Sequence, residues 1–124
     1  MVVEEGYLAG QPGLKLTLYK QILRGVSNAI LDIRLQTMGM TDQQALDLMI
    51  NDTYQEKEEA TAKLQRAQLS SCQLPTYFAG WKGWLDARER NRQKQGAAFS
   101  LRDFHERALK EGAVSLPVLS RLLE

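Results

Sequence analysis

Apolar residues recur in steps of three and four through the first third of the chain, at Leu16, Tyr19, Ile22 or Leu23, Val26, Ile30, Ile33 and Leu35, with Lys15, Lys20, Arg24, Asp32 and Arg34 off that stripe. A spacing near 3.6, kept up for about 20 residues, predicts a long and mostly buried helix. Gly39 marks its end, because glycine takes the left-handed conformation in which helices commonly stop. Thr41 with Gln44 fits a capping box and predicts a short helix burying Ala45, Leu46 and Met49. Thr53 with Glu56 reads as a second box, opening a third helix that runs to about Leu69. From Gln55 to Glu59 that segment is polar, so only part of it is expected to face a core.

Ser70-Ser71-Cys72-Gln73 breaks the pattern, and Pro75 restarts it, since proline suits a first helical turn where its missing N–H has no partner to lose. The fourth helix is expected from Pro75 to about Lys94, with Gly96 as its stop. Along it Tyr77, Ala79 or Gly80, Trp81 and Trp84 fall one turn apart, and Gly80 and Gly83 leave room for close approach to the backbone. Ser100 with Asp103 caps a fifth helix carrying Leu101, Phe104, Ala108 and Leu109, ending at Gly112. Ser115, with Pro117 in the first turn, starts a last short helix. Alternation with period two is absent and β-branched residues are sparse, so the expectation is an all-α protein. Its five to six helices, two of them long, would form an irregular bundle and a single helical domain over residues 1–124.

Composition adds boundaries to that picture. With 44% hydrophobic and 25% charged residues, the chain has ordinary globular usage, and a formal net charge of +1 supplies no field toward nucleic acid or an anionic membrane. Cys72, the single cysteine, excludes an internal disulfide and suits a reducing compartment. No run approaches the roughly 20 apolar residues of a membrane span, and the first residues lack a signal-peptide layout. A cytoplasmic location, with no nucleic-acid and no membrane partner, is therefore expected.

Catalytic patterns are missing from the sequence. There is no His-Glu-x-x-His, no Cys-x-x-Cys, no phosphate-cradling glycine loop and no nucleophile elbow. One histidine and one cysteine do not make the three or four ligands of a zinc site, so no metal ligand is assigned in this chain. Glu56, Glu58 and Glu59 read as solvated helix surface, His105 as a packing residue at the edge of an apolar face, and Cys72 as an inert thiol. Arg88-Glu89-Arg90-Asn91-Arg92-Gln93-Lys94 reads as a solvated helix end favoured by the helix dipole, with phosphate binding as its alternative.

A longer series does resemble a known family. Asn28-Ala29-Ile30-Leu31-Asp32, Met38-Gly39-Met40-Thr41 with Ala45, then Arg66, Gln73, Tyr77 and Gly80, then Phe99, Phe104-His105, Leu109 and Gly112 are similar to the C-terminal portion of the bacterial domain of unknown function 885 family. The resemblance runs from about Glu5 to Leu123, and Glu5-Gly6-Tyr7-Leu8 looks like the segment just after the family's second zinc-binding helix. Members look like gluzincin-type zinc metallopeptidases, large and mainly helical, with a His-Glu-x-x-His helix. The resemblance implies that this chain begins after the metal site, is non-catalytic alone, and has zinc only in a complete parent.

The family's Gln-x-x-x-Tyr-x-x-Gly element falls on Gln73, Tyr77 and Gly80. By that analogy Tyr77 is the candidate oxyanion donor in a complete parent, with Gln73, Arg66 and Gly80 as substrate-side groups. One departure is that many members carry a histidine shortly after the aspartate of the first long helix, and Gln36 holds that place here. The upstream glycine is also replaced, by Ile33 or Arg34. The alternative function is a free-standing helical interaction module. A face left without its other half would be exposed, which predicts a homo-oligomer, specifically a homodimer through the first and fourth helices.

Overall fold

Six α-helices carry the chain in the computed structural model, which describes residues 6, 7 and 9–123. They are α1 (Pro12–Thr37), α2 (Asp42–Asp47), α3 (Lys57–Leu69), α4 (Thr76–Gln95), α5 (Leu101–Lys110) and α6 (Leu116–Leu122). A π-helical turn (Leu48–Asp52) follows α2, and a 3-10 turn (Gly96–Ala98) follows α4. No strand occurs among the described residues, and the fold is all-α with two long helices. Glu5 and Leu8, part of the sequence lead discussed above, lie outside the described residues.

Most helix ends follow local chemistry. Thr41 and Gln44 close the reciprocal capping box at α2. Ser100 Oγ accepts from the Asp103 N–H at 3.2 Å to start α5. Gly39, at φ +63°, sits just past the end of α1, and the Met40 N–H reaches back to the Arg34 carbonyl at 3.2 Å.

One boundary differs from the sequence expectation. Thr53 does not cap α3; its hydroxyl turns back and donates to the Leu48 and Met49 carbonyls at 3.1 and 3.0 Å, closing the π turn. Tyr54 then takes a left-handed conformation (φ +53°), and α3 begins at Lys57, with Glu56 at its N-cap making no side-chain cap. The hydroxyl had two available uses, and the carbonyls freed by the wider π turn took it.

The chain divides into two compact units, Met1–Phe78 and Ala79–Glu124. The first is built on Leu31, Ala45, Met49, Ala60, Leu64 and Leu74, with Leu31, Ala45, Met49 and Ala60 fully enclosed. The second is built on Ala87, Phe104, Ala108, Leu119 and Leu123. Phe104 is its centre, meeting the half-buried Trp84 edge to face (6.3 Å, 90°) and Phe99 at 6.3 Å.

The long first helix is buried less than its periodicity implied. Only Ser27, Ala29, Leu31 and Asp32 of α1 are buried, while Leu14, Leu16 and Tyr19 are exposed at 50%, 70% and 52%. Its main contacts are with α3 and the π turn, and every buried residue of α1 lies in its C-terminal half. The buried face is also not the expected stripe: Ile33 is 52% exposed, while Asp32, placed off the stripe, is 3% exposed, because the face that meets the first core runs through Ser27, Leu31 and Asp32.

Candidate functional site

The residues singled out from sequence lie in and on either side of the stretch between α3 and α4, whose shape is set from α1. Asp32 and Gln36 lie one helical turn apart and so project from the same face. Gln36 Nε2 donates to the Ala67 and Ser70 carbonyls, both at 3.0 Å, satisfying acceptors that the end of α3 leaves open. Asp32 is 3% exposed, and its Oδ2 accepts the Cys72 N–H at 3.0 Å. Cys72 sits at φ +65°, a strained region for a residue with a Cβ, and the buried carboxylate holds it there. Leu74, 2% exposed, pins the same loop into the first core.

From that fixed loop the candidate residues point outward. The Gln73 carbonyl accepts from the Thr76 hydroxyl at 2.6 Å at the start of α4, while the Gln73 side chain is exposed. Tyr77 is 69% exposed, with no hydrogen-bond partner for its hydroxyl among the described residues. Gly80, three residues on, has nothing within 4 Å of where a Cβ would stand. Arg66 lies in the last turn of α3 and is exposed; its carbonyl accepts from Ser70 Oγ at 3.1 Å. Arg66, Gln73 and Tyr77 lie in the first unit and Gly80 in the second, and no hydrogen bond or ion pair joins the side chains of Arg66, Gln73 and Tyr77 among the described residues. Gly83 behaves differently from Gly80: a Cβ there would stand 2.6 Å from Leu116 Cδ1, so α6 makes the close approach that this glycine permits.

Sequence reasoning missed a buried polar chain in the first unit. Lys63 is 4% exposed and donates to Gln55 Oε1, while Gln55 Nε2 donates to Ser27 Oγ (3.3 Å) and Thr53 Oγ1 (2.9 Å). Burial, then the nearby Arg24 and Arg66 charges, lower the Lys63 pKa from 10.5 to about 8. Glu59, half-buried, pairs with Arg24 and lies 3.9 Å from Lys63. Glu56 and Glu58 are exposed and Glu59 is half-buried, whereas Gln55, at the start of the polar run, and Lys63, beyond it, are interior. The signal available was Lys63 at the spacing of Ala60, Leu64 and Ala67, the inward face of α3.

The remaining chemistry-bearing residues are accounted for locally. His105 is half-buried beside Phe104 (5.5 Å between ring centres), with Nε2 enclosed and unpartnered. Cys72 is an exposed free thiol. Ala87 and Asn91 face inward on α4, so the basic run is not solvated on every side. No group of three or more His, Cys, Asp or Glu residues is placed to hold a metal among the described residues. No helix is long and apolar enough to cross a membrane among the described residues.

These features define an all-helical protein whose candidate residues flank one loop fixed by a buried carboxylate and an amide. The chain belongs to the family described as "Bacterial protein of unknown function (DUF885)", which matches residues 1–123. It is similar, at 38% identity and a TM-score of 0.95, to the structure of "a putative lipoprotein of unknown function from Shewanella oneidensis". The match covers 99% of this chain and 22% of that one. A comparison with curated proteins returns no match.

Proposed function

We propose that the chain acts as the C-terminal helical portion of a metallopeptidase-like protein, non-catalytic by itself, and that Tyr77, Gln73, Arg66 and Gly80 are its substrate-side wall. The observation that carries this reading is Tyr77: an exposed phenol on the first turn of a long helix, which follows a loop that Asp32 and Gln36 hold. A rigid element presenting an unengaged hydrogen-bond donor is what a substrate wall requires. Similarity to 22% of a longer chain supports a part belonging to a larger whole. Any zinc belongs to a complete parent, and no step is assigned to it here.

The test is a peptidase assay and zinc analysis of the purified chain. No turnover and no stoichiometric zinc are expected, and tightly bound zinc with turnover would sink the reading. In a complete parent carrying a His-Glu-x-x-His helix, Tyr77→Phe is expected to lower kcat by about 10²-fold or more, as loss of one oxyanion donor does.

The second reading is an interaction module that self-associates as a homodimer through the first and fourth helices. It is favoured by Leu14, Leu16 and Tyr19, exposed along α1, and by Trp81, 41% exposed on α4. Sedimentation at high concentration giving only monomer mass would remove it. A cytoplasmic location stays part of the proposal, supported by the lone free thiol; fractionation that finds the protein with membranes would replace it.

A further inference from the structure

Two adjoining pockets in the second unit share Arg90 and Ser120. The larger, about 450 Å³, lies between α4 and α6 and is lined by Ala79, Gly83, Leu116 and Pro117 together with Arg90, Ser120 and Arg121. The smaller, about 310 Å³, continues past Arg90 to Asn91 and Lys94. Neither has a carboxylate among its described lining residues. The nearest acids on α4 are engaged elsewhere: Asp86 with Lys82, and Glu89 with Arg92 and Gln93.

Arg90 Nη1 donates to Ser120 Oγ at 3.0 Å, which holds the guanidinium across the groove and leaves its other N–H donors unused by any acid among the described residues. Arg121 likewise meets no carboxylate among the described residues. The helix dipole accounts for basic residues in the last turns of α4 and α6. It does not account for arginines of two different helices lining one groove together with Ala79, Leu116 and Pro117.

We propose that this groove binds a small carboxylate bearing an apolar side chain. The two guanidinium forks match the paired oxygens of a carboxylate, and the wall of Ala79, Leu116 and Pro117 takes the side chain. Gly83 keeps that wall low, because any larger residue would displace Leu116. Phosphate is the poorer match, since half the lining is apolar and cannot hydrogen-bond its further oxygens. The site uses second-unit residues only and stands apart from the peptidase-like reading.

The test is a titration of the full 124-residue chain, labelled for amide NMR, with N-acetyl-leucine, N-acetyl-leucinamide and inorganic phosphate. Saturable shifts at Gly83, Ser120 and Arg121 are expected with N-acetyl-leucine, and affinities at least about tenfold weaker for Arg90→Gln and Arg121→Gln, as loss of a charge-assisted bond implies. The amide spectra of both variants, unchanged away from the groove, show that they fold. Equal binding of the neutral amide, tighter binding of phosphate, no saturable shift, or full affinity in folded Arg121→Gln would each overturn the proposal.

Discussion

Asp32 accepts the backbone N–H of Cys72 at 3.0 Å, across 40 residues of chain, and so decides the path by which α3 leads into α4. Its other oxygen, Oδ1, is enclosed without a protein partner, so this carboxylate is committed to the loop at some cost in solvation. Gln36, one turn later, completes the hold with two donated bonds. A neutral imidazole has a single N–H to donate, whereas the amide donates to both carbonyls from one nitrogen, so the amide is suited to this clamp.

Asp32→Ala removes the charged acceptor of the part-buried Cys72 N–H bond and is expected to destabilise the chain by about 1–3 kcal/mol. Asp32→Asn keeps an acceptor and is expected to cost less. Gln36→Ala removes two exposed or half-buried bonds and is expected to cost about 1 kcal/mol. Urea midpoints of the three variants rank them, and an Asp32→Ala midpoint equal to wild type would show that the loop holds itself.

The caps that sequence revealed were those with one available use. Ser100 and the Thr41–Gln44 pair bond within their own first helical turn, so a local rule was sufficient. Thr53 faced freed carbonyls behind it and unsatisfied N–H groups ahead, and only tertiary packing chose between them. For the candidate site, the break at Ser70–Gln73 and the glycines were legible. The clamp was not, because it joins residues 32 and 36 to a loop far along the chain.

Lys63 gives stability a pH dependence whose sign follows from its pKa. The folded value, about 8, lies below the ordinary 10.5, so between these pH values the unfolded chain binds more protons than the folded one. Stability is therefore expected to rise from pH 8 toward pH 10.5 by this group, and to be indifferent to it below pH 8, where both states are protonated. Lys63→Met removes the titration. The difference in urea midpoint between wild type and variant, followed from pH 7 to 10, cancels the other lysines and tyrosines; a flat difference would show that Lys63 titrates normally.

The two glycines of α4 are expected to respond in different ways to the same substitution. Gly80→Ala meets open space and gains helix propensity, so it is expected to stabilise by about 0.5–1 kcal/mol. Gly83→Ala gains the same propensity but drives its methyl against Leu116 Cδ1, and is expected to fall short of Gly80→Ala. Adding Leu116→Ala to each separates the two cases. Non-additivity is expected with Gly83→Ala and not with Gly80→Ala, since only the first pair is in contact.

Tyr77→Phe is expected to leave stability within about 0.5 kcal/mol of wild type, because the ring is 69% exposed and the hydroxyl holds nothing in the fold. That neutrality is what makes the residue informative. An aromatic hydroxyl required for folding would lose activity through unfolding, whereas this one is separable from the fold. Thermal unfolding of Tyr77→Phe beside Tyr77→Ala measures it directly. A loss of more than 1 kcal/mol in the phenylalanine variant, by the mutational scale for a lost hydrogen bond, would mean that the hydroxyl has a structural partner and would remove the ground for placing it on a substrate wall.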